Sequence, residues 1–179
     1  MFPGGWYVAA EKTPSPFFNQ RPAAADIRLL VIHNISLPAG CFGLPYIRQL
    51  FLGCLDVNAD PSFADLAGLE VSAHFLIDRQ GRICQFVATG QRAWHAGVSS
   101  FAGVDNCNDY SIGIELEGAD DTPFTDAQYQ ALAQLSRDLM NCYGIDAGHI
   151  VGHSDIAPGR KTDPGPCFDW PRYRRSLES

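Results

Sequence analysis

Residues 26–36 carry the sequence DIRLLVIHNIS, and this stretch decides the fold. Its run of Leu, Leu, Val and Ile at positions 29–32 is apolar on both faces of an extended segment. A strand of that kind lies inside a sheet that is covered on both sides. His33 follows the run, at the end of the strand where active-site groups of α/β proteins often lie, although a histidine there is otherwise a hydrogen-bonded core residue.

A second buried strand is predicted at residues 110–118, YSIGIELEG, where the two faces differ in character. Alternation along a strand places Ile112, Ile114 and Leu116 on one face. The other face carries Gly113, Glu115 and Glu117. The apolar face is expected to pack on helices, and the second face brings carboxylates to the sheet.

The rest of the chain mixes helical and strand patterns. Helices are expected at residues 44–52, 62–68, 126–142 (N-capped by Thr125) and 169–177. Further strands are expected at 71–78 and 82–88, joined by the turn Arg79-Gln80-Gly81, and at 149–153. Residues 1–26 are predicted to be an irregular arm pinned by Trp6, Tyr7, Phe17 and Phe18, and residues 90–103 a loop. This order predicts one α/β domain over residues 1–179, with a central mixed β-sheet flanked by helices.

Composition limits the partners that the chain is expected to have. Its 179 residues are 46% hydrophobic and 18% charged, with a formal net charge of −7. The sequence shows no basic patch of the kind that nucleic-acid-binding proteins carry, so we expect no nucleic-acid partner. No apolar run approaches the roughly 20 residues that span a bilayer. The first residues lack the basic and apolar regions of a signal peptide, so we expect a cytoplasmic monomer with no membrane partner. Its 6 cysteines are widely spaced without a CxxC motif, which favours reduced thiols.

A second informative stretch is HSDIAPGRKTDPG at residues 153–165. Prolines and glycines stiffen and turn this loop, so that its polar groups can be fixed in place. Imidazole and carboxylate are good zinc ligands, and His33, His153 and Asp163 together would leave one tetrahedral position open, as catalytic zinc sites do. His74, His95 and His149 lack such neighbours, and we expect contact with substrate, or support of the ligands, from His74 and His95.

Zinc-assisted hydrolysis also needs a proton acceptor and a group that stabilises negative charge. Glu115 and Glu117 share a strand face, and spacing alone leaves open which of them is the base. The alternative of a solvated strand face suits Glu117 well. Lys161 lies two residues before Asp163, where it can meet an oxyanion, and is otherwise an exposed loop charge.

Five motifs in order carry a resemblance to a known family: VIHNISLP, SAHFLI, RAWHAG, SIGIELEG and HSDIAPGRKTDPGP. They resemble the zinc amidases that cleave N-acetylmuramoyl-L-alanine bonds, in particular the cytoplasmic members that act on 1,6-anhydro-N-acetylmuramyl-L-alanine. That family also includes peptidoglycan-recognition proteins. The resemblance runs from about Ser15 to Trp170, nearly the whole chain, and it implies the family's mixed α/β fold.

The resemblance implies a role for five side chains. His33, His153 and Asp163 match the family's zinc ligands, which implies one Zn²⁺ per chain. Glu115 matches the family's base, which resolves the choice that spacing left open. Lys161 matches the lysine taken to stabilise the transition state.

The resemblance also implies a substrate and its contacts. The substrate would be an anhydromuropeptide, cut during recycling of cell-wall fragments, a step that in some bacteria lowers the signal that induces β-lactamase. Asn34, Trp94 and His95 match positions near the family's substrate groove. Glu70 and Asn106 stand where some relatives carry basic residues suited to peptide carboxylates, so affinity for the stem peptide is expected to differ.

Two other functions are compatible with the same fold. One is a module that binds muropeptide without cutting it, although such relatives lack a complete ligand set. The other is a periplasmic amidase that acts on intact murein.

Overall fold

The computed structural model describes residues 1–23 and 25–178, and it contains both strands and helices. The strands are β1 (Glu11–Lys12), β2 (Phe18–Gln20), β3 (Leu29–Ile35), β4 (Phe75–Ile77), β5 (Ile83–Gln85), β6 (Gln91–Ala93), β7 (Ser100–Phe101), β8 (Val104–Asp105), β9 (Ser111–Glu117) and β10 (Ile150–Gly152). The helices are α1 (Tyr46–Phe51), α2 (Asp126–Tyr143), α3 (His153–Ile156) and α4 (Trp170–Leu177). Short 3-10 turns lie at Pro3–Gly5, Pro61–Leu66, Cys107–Asp109 and Ala147–His149.

The main sheet has the strand order β1-β5-β4-β9-β3-β10. β3 is parallel to both β9 and β10, whereas β4 and β5 form an antiparallel hairpin. Parallel strands end at the same edge of a sheet, so the segments that follow β3, β9 and β10 meet there. The prediction of a mixed sheet flanked by helices, with the stretch at 26–36 as a central strand, is confirmed.

The two faces of β9 serve different purposes, as its alternation predicts. Ile112, Ile114 and Leu116 are buried against the long helix α2, which contributes Leu132 and Leu139. Each such side chain contributes roughly 1.5–3 kcal/mol on removal from water. The opposite face of β9 carries the glycine and the two glutamates.

Helix α2 begins and ends where its sequence indicates. Thr125 accepts a hydrogen bond from the Gln128 N–H, and the Gln128 side chain accepts one from the Thr125 N–H, which makes a capping box. Gly144 ends the helix in the left-handed region, with φ of 67°. No helix among the described residues combines the length and the apolarity that crossing a bilayer requires.

The N-terminal arm is more regular than the sequence indicates. β1 pairs in parallel with β5 at the edge of the main sheet, and β2 pairs with β6 inside the segment 90–103 that is predicted to be a loop. Strands of two or three residues are too short to show alternation, and their distant partners supply the hydrogen bonds. Tyr7 is buried and Phe17 stacks on Trp94, as expected of pinning residues, but Phe18 is 43% exposed.

Several predicted elements are shorter than their sequence patterns. The strands expected at 71–78 and 82–88 are confirmed as a hairpin but reduce to Phe75–Ile77 and Ile83–Gln85. The helix expected at 62–68 is the 3-10 helix Pro61–Leu66, started by proline. The stretch at 153–165 begins as a helical turn, α3, before it becomes the loop that the sequence predicts.

Candidate active site

The parallel strands bring three potential metal ligands together. His33 lies near the end of β3, His153 opens α3 directly after β10, and Asp163 follows on the loop. The Nδ1 atoms of His33 and His153 are 3.0 Å apart. The Oδ2 atom of Asp163 lies 3.1 Å from the first of these nitrogens and 3.2 Å from the second. These donor atoms therefore form a nearly equilateral triangle.

The triangle has the dimensions of one face of a small tetrahedral metal site. Zinc bonds to nitrogen and oxygen of about 2.0–2.1 Å place tetrahedral ligands about 3.3 Å apart, close to the observed separations. Two imidazole nitrogens and a carboxylate oxygen also form a donor set that suits zinc. The residues present therefore fit a zinc ion with one coordination position left open for a non-protein ligand.

Hydrogen bonds behind the two histidines select the tautomers that a metal needs. His153 Nε2 donates to the Ala96 carbonyl oxygen at 3.0 Å, so Nδ1 of a neutral His153 carries the lone pair. His33 Nε2 lies 2.9 Å from His95 Nδ1, which can accept its proton in the same way. Burial, outweighing the contact with the Asp163 carboxylate, lowers the pKa of His33 to about 4, so His33 is neutral at neutral pH.

Asp163 is held as an anion beside these rings. Burial alone would raise the pKa of Asp163, but the contacts of its carboxylate with His153 and His33 outweigh burial and lower the pKa overall. A charged carboxylate next to two neutral imidazoles is the protonation state of a metal-binding trio.

Glu115 is a buried carboxyl group on the strand next to His33. It lies opposite His33 in the register of β9 and β3, and it is 8% exposed. Burial first, and then the negative charge of Asp163, raise the pKa of Glu115 well above its ordinary value, against the opposing effect of Lys161. Within the described residues its Oε2 atom is buried and has no hydrogen-bond partner. A carboxyl group in this state suits proton transfer.

Glu117, two residues along the same face, is also buried, but it differs from Glu115 in its hydrogen bonding. It is 3% exposed, so the expectation of a solvated face is wrong at this position. Its Oε1 accepts the Gly43 N–H at 2.5 Å and its Oε2 accepts the Arg79 N–H at 3.1 Å. Because both oxygens are occupied by backbone donors, Glu117 ties a loop and the hairpin turn to the sheet.

A cleft of about 260 Å³ opens over the trio, with one polar and one apolar side. The polar side contains the trio, Glu115 and the exposed Lys161. The apolar wall faces it and consists of Ile35, Leu37, Leu50, Phe51, Leu66, Leu69 and Val71. The cleft can therefore take a molecule with an apolar body next to a group that reacts at the polar side.

Three of the residues expected to contact substrate line this cleft: Asn34, Trp94 and His95. Asn34 Nδ2 donates to Asp120 Oδ1 at 2.7 Å and to the Pro164 carbonyl at 3.0 Å, which fixes the amide. Trp94 stacks on Phe17 with ring centroids 6.2 Å apart. These side chains are held in place by protein contacts.

His74 lies elsewhere, although the sequence groups it with these three. It is 0% exposed, and the cleft lining does not include it. Its Nδ1 accepts the Gly113 N–H at 3.1 Å and its Nε2 donates to the Gln91 carbonyl at 3.0 Å. The geometry therefore gives His74 a structural role beneath His95 and no surface for substrate. The SAHF pattern alone does not reveal whether its histidine is exposed in the cleft or fully buried.

Sequence reasoning also missed Asn108, which contacts the backbone beside both histidine ligands. Its Oδ1 accepts the N–H groups of His95 and Ala96 at 3.1 and 2.9 Å. A side chain that acts through backbone groups leaves no pattern of ligand spacing. The one available signal was an asparagine in a short turn directly before a central strand.

Comparison with known proteins agrees with this geometry. Residues 23–166 match the family model described as N-acetylmuramoyl-L-alanine amidase. The chain is 56% identical over 170 residues to the 1,6-anhydro-N-acetylmuramyl-L-alanine amidase AmpD of Escherichia coli, covering 95% of this chain and 93% of that protein. A crystal structure of a selenomethionine derivative of AmpD superposes with a TM-score of 0.96 at 53% identity, covering 99% of both chains.

A more distant relative was solved with its substrate. The complex of the amidase AmiD from E. coli with anhydro-N-acetylmuramic acid-L-Ala-D-gamma-Glu-L-Lys has a TM-score of 0.63 and 34% identity. The match covers 88% of this chain and 60% of that one.

Proposed function

The chain belongs to the N-acetylmuramoyl-L-alanine amidase family, and we propose that its cleft hydrolyses the amide between 1,6-anhydro-N-acetylmuramic acid and L-alanine. The observation that carries this function is the triangle of His33, His153 and Asp163 donors beside the buried Glu115. The names of the relatives supply the substrate: AmpD is an anhydromuramyl-L-alanine amidase, and AmiD was solved with an anhydromuropeptide. The reaction is a step in the recycling of cell-wall fragments.

We propose that one Zn²⁺ per chain is held by His33 Nδ1, His153 Nδ1 and Asp163 Oδ2. When bound, zinc would supply a Lewis acid that polarises the scissile carbonyl and lowers the pKa of a water molecule. The support from this chain is the donor set, its dimensions, and the carbonyl and imidazole groups that fix both ligand tautomers.

Glu115 is proposed to move the proton. Its carboxylate takes a proton from the attacking water as oxygen bonds to the amide carbon. The same proton then passes to the alanine nitrogen as the carbon–nitrogen bond breaks, which leaves a free carboxyl and a free amine. A raised pKa suits both halves of this exchange, because the group must accept a proton and then release it.

Lys161 is proposed to stabilise the oxyanion that forms on the carbonyl. Its charge already affects the cleft, because it lowers the pKa of Glu115 against the effect of burial. Lys161 is exposed and lines the cleft, so its ammonium can meet the charge that develops on the substrate carbonyl.

Asn34, Trp94 and His95 are proposed as substrate contacts because they line the cleft. The indole of Trp94 offers a flat surface to a sugar ring, whose C–H face is apolar. The apolar wall across the cleft suits the compact anhydro sugar and its acetyl group. His95 also contacts His33, so it joins substrate contact with support of a ligand.

We propose a cytoplasmic, monomeric enzyme with one catalytic domain over residues 1–179, and that where β-lactamase is inducible its activity lowers the inducing signal. All six cysteines are free in the structure, as a reducing compartment favours. A module that only binds muropeptide would have no use for Glu115 beside a complete ligand set. A periplasmic amidase acting on intact murein is the second candidate, and substrate choice separates the two.

The test combines metal analysis with mass spectrometry. The purified protein is analysed for zinc and then incubated with anhydromuropeptide, with whole sacculi, and with anhydromuropeptide after chelator dialysis. We expect about one zinc per chain and release of the stem peptide from the free anhydromuropeptide, lost on chelation and restored by zinc. Preferential release from sacculi would support the periplasmic alternative, and no release from either substrate would overturn the proposal.

A further inference from the structure

One dipeptide, His95-Ala96, contacts both proposed histidine ligands. The His95 ring faces His33, with 2.9 Å between His95 Nδ1 and His33 Nε2. The Ala96 carbonyl oxygen accepts the His153 Nε2–H at 3.0 Å. Whatever fixes this dipeptide therefore fixes the orientation and the tautomer of two ligands at once.

Asn108 fixes it. Its Oδ1 atom accepts the N–H of His95 at 3.1 Å and the N–H of Ala96 at 2.9 Å, so one carbonyl oxygen binds two successive peptide groups. The Asn108 side chain is buried, and its residue is 7% exposed. In such surroundings a backbone N–H without an acceptor is unfavourable, so both bonds are strongly favoured.

Asn108 is itself held firmly. It lies in the 3-10 turn Cys107–Asp109, directly before β9. Arg21 Nη1 donates to the Asn108 carbonyl at 3.0 Å and to the Asp109 carbonyl at 3.0 Å. The turn is thus tied to the N-terminal arm on one side and to the central strand on the other.

Other contacts complete the hold on the dipeptide. The His95 Nε2 atom lies 3.1 Å from Ser111 Oγ, and Arg160 Nη2 donates to the Ala96 carbonyl at 2.6 Å. If His33 Nε2 donates to His95 Nδ1, a neutral His95 carries its proton on Nε2 and donates it to Ser111 Oγ. Hydrogen-bond donation then runs in one direction, from the metal ligand His33 to Ser111.

We propose that Asn108 is a positioning residue of the zinc site. It acts on the metal through the His95-Ala96 backbone, without touching substrate or metal. The inference rests on the proposed zinc site, and it adds that zinc affinity depends on a side-chain oxygen outside the ligand set. Removal of a hydrogen-bonding partner behind the ligands typically costs about 10- to 100-fold in metal affinity.

The test measures zinc binding directly, by competition with a chromogenic chelator. We expect Asn108→Ala to weaken zinc binding about 10- to 100-fold. Asn108→Asp keeps an acceptor oxygen and should stay within about threefold of the wild type. The matched control is Asn58→Ala, at an exposed asparagine whose side chain donates to Asp56 in its own turn, and it should not change affinity.

A spectroscopic readout separates positioning from general loss of structure. The Co²⁺-loaded protein absorbs in the visible range according to ligand geometry, and we expect an altered band for Asn108→Ala and a restored band for Asn108→Asp. Asn108→Leu, nearly isosteric but without an acceptor, replaces the alanine variant if that variant does not fold. Folded Asn108→Ala or Asn108→Leu protein with wild-type zinc affinity and cobalt spectrum would overturn the proposal, even if turnover fell.

The wild-type protein separates this inference from the proposed function. Wild-type zinc binding and turnover together with unchanged variants would refute the role of Asn108 alone. A wild-type protein that binds no zinc would refute both.

Discussion

His33 and Glu115 lie directly opposite each other on the adjacent parallel strands β3 and β9. Side chains that are paired in register project from the same face of a sheet, so the candidate ligand His33 and the candidate base Glu115 share one face. Hydrogen bonds between the central strands hold this pairing, which makes it independent of the loops around the cleft. Sites built on strands keep their geometry better than sites built on loops.

Removal of the carboxylate ligand should abolish metal binding and activity together. Asp163→Ala leaves two neutral imidazoles facing each other, which are too few ligands for tight zinc binding. We expect zinc content to fall below about a tenth of the wild-type value. Elemental analysis and turnover of anhydromuropeptide measure the two effects. Asp65→Ala, an exposed carboxylate in another segment, is the control, and an active zinc-free Asp163→Ala would contradict the ligand assignment.

Removal of the base should separate metal binding from catalysis. Glu115→Gln keeps the shape of the side chain but accepts no proton, so we expect normal zinc content and a kcat lower by about 10²- to 10⁴-fold. Steady-state kinetics on the zinc-loaded variant measure it. Near-normal turnover would remove Glu115 as the base.

Glu117→Gln is the comparison for that experiment. An amide nitrogen in place of one oxygen leaves the Gly43 or the Arg79 N–H without an acceptor, which costs about 1–3 kcal/mol. Urea unfolding should show lower stability, while kcat per folded, zinc-loaded molecule stays close to the wild-type value.

A methyl group at Gly113 should disturb the support of the zinc ligands. A Cβ atom there would overlap the ring of His95, and through it the contact with His33. We expect Gly113→Ala to lower kcat and to weaken zinc binding by roughly tenfold. Gly148→Ala meets no atom within 4 Å and is the matched control. Equal zinc affinity in the two variants would show that His95 does not support the site.

Acid should destabilise the fold partly through His74. Burial first, and then the charge of Arg21, lower the pKa of His74 to about 3, below its ordinary value of 6.5. Between these values the unfolded chain binds more protons than the folded one, so the free energy of unfolding rises with pH. We expect His74→Asn to flatten this dependence between pH 7 and 5, by at most about 1.4 kcal/mol per pH unit. Urea unfolding at several pH values tests it, and parallel curves for the two proteins would contradict the assignment.

The charge of Glu70 should affect the affinity for the stem peptide. Glu70 lines a small pocket of about 240 Å³, which shares Leu50, Leu66 and Leu69 with the cleft. Muropeptide stems carry free carboxylates, so Glu70→Arg should lower KM by roughly five-fold with little change in kcat. Asp146→Arg makes the same charge change at an exposed residue outside both linings and is the control. An unchanged KM for Glu70→Arg would place the stem elsewhere.

Sequence predicted those parts of the fold that rest on regular burial. The stretch at 26–36 is apolar on both faces, and only an interior strand satisfies that pattern. The sequence does not predict β1 and β2, because their hydrogen-bond partners are β5 and β6, which lie far away in the chain. The hydrophobic periodicity of a segment reflects its surroundings, but strands of two or three residues are too short to show a periodicity.

The candidate site likewise has features that the sequence predicts and features that it does not. His33 and His153 could be expected to meet, because His33 lies near the end of β3 and His153 directly follows the parallel strand β10. Spacing could not distinguish Glu115 from Glu117, because the difference depends on which backbone N–H groups bind each carboxylate, and the family resemblance alone favoured Glu115. Asn108 was missed for a related reason, because its partners are main-chain groups that every residue possesses.

The apolar wall of the cleft has a consequence for how such an enzyme diversifies. Apart from Ile35 at the end of β3, its residues come from the connection leading toward β4, whereas the reacting groups come from β3, β9, α3 and the segment after α3. Mutations in that connection can reshape the space offered to a sugar or a peptide without moving a single donor atom. Substrate selectivity and catalysis therefore depend largely on different segments, so a new substrate preference can evolve while the reaction is retained.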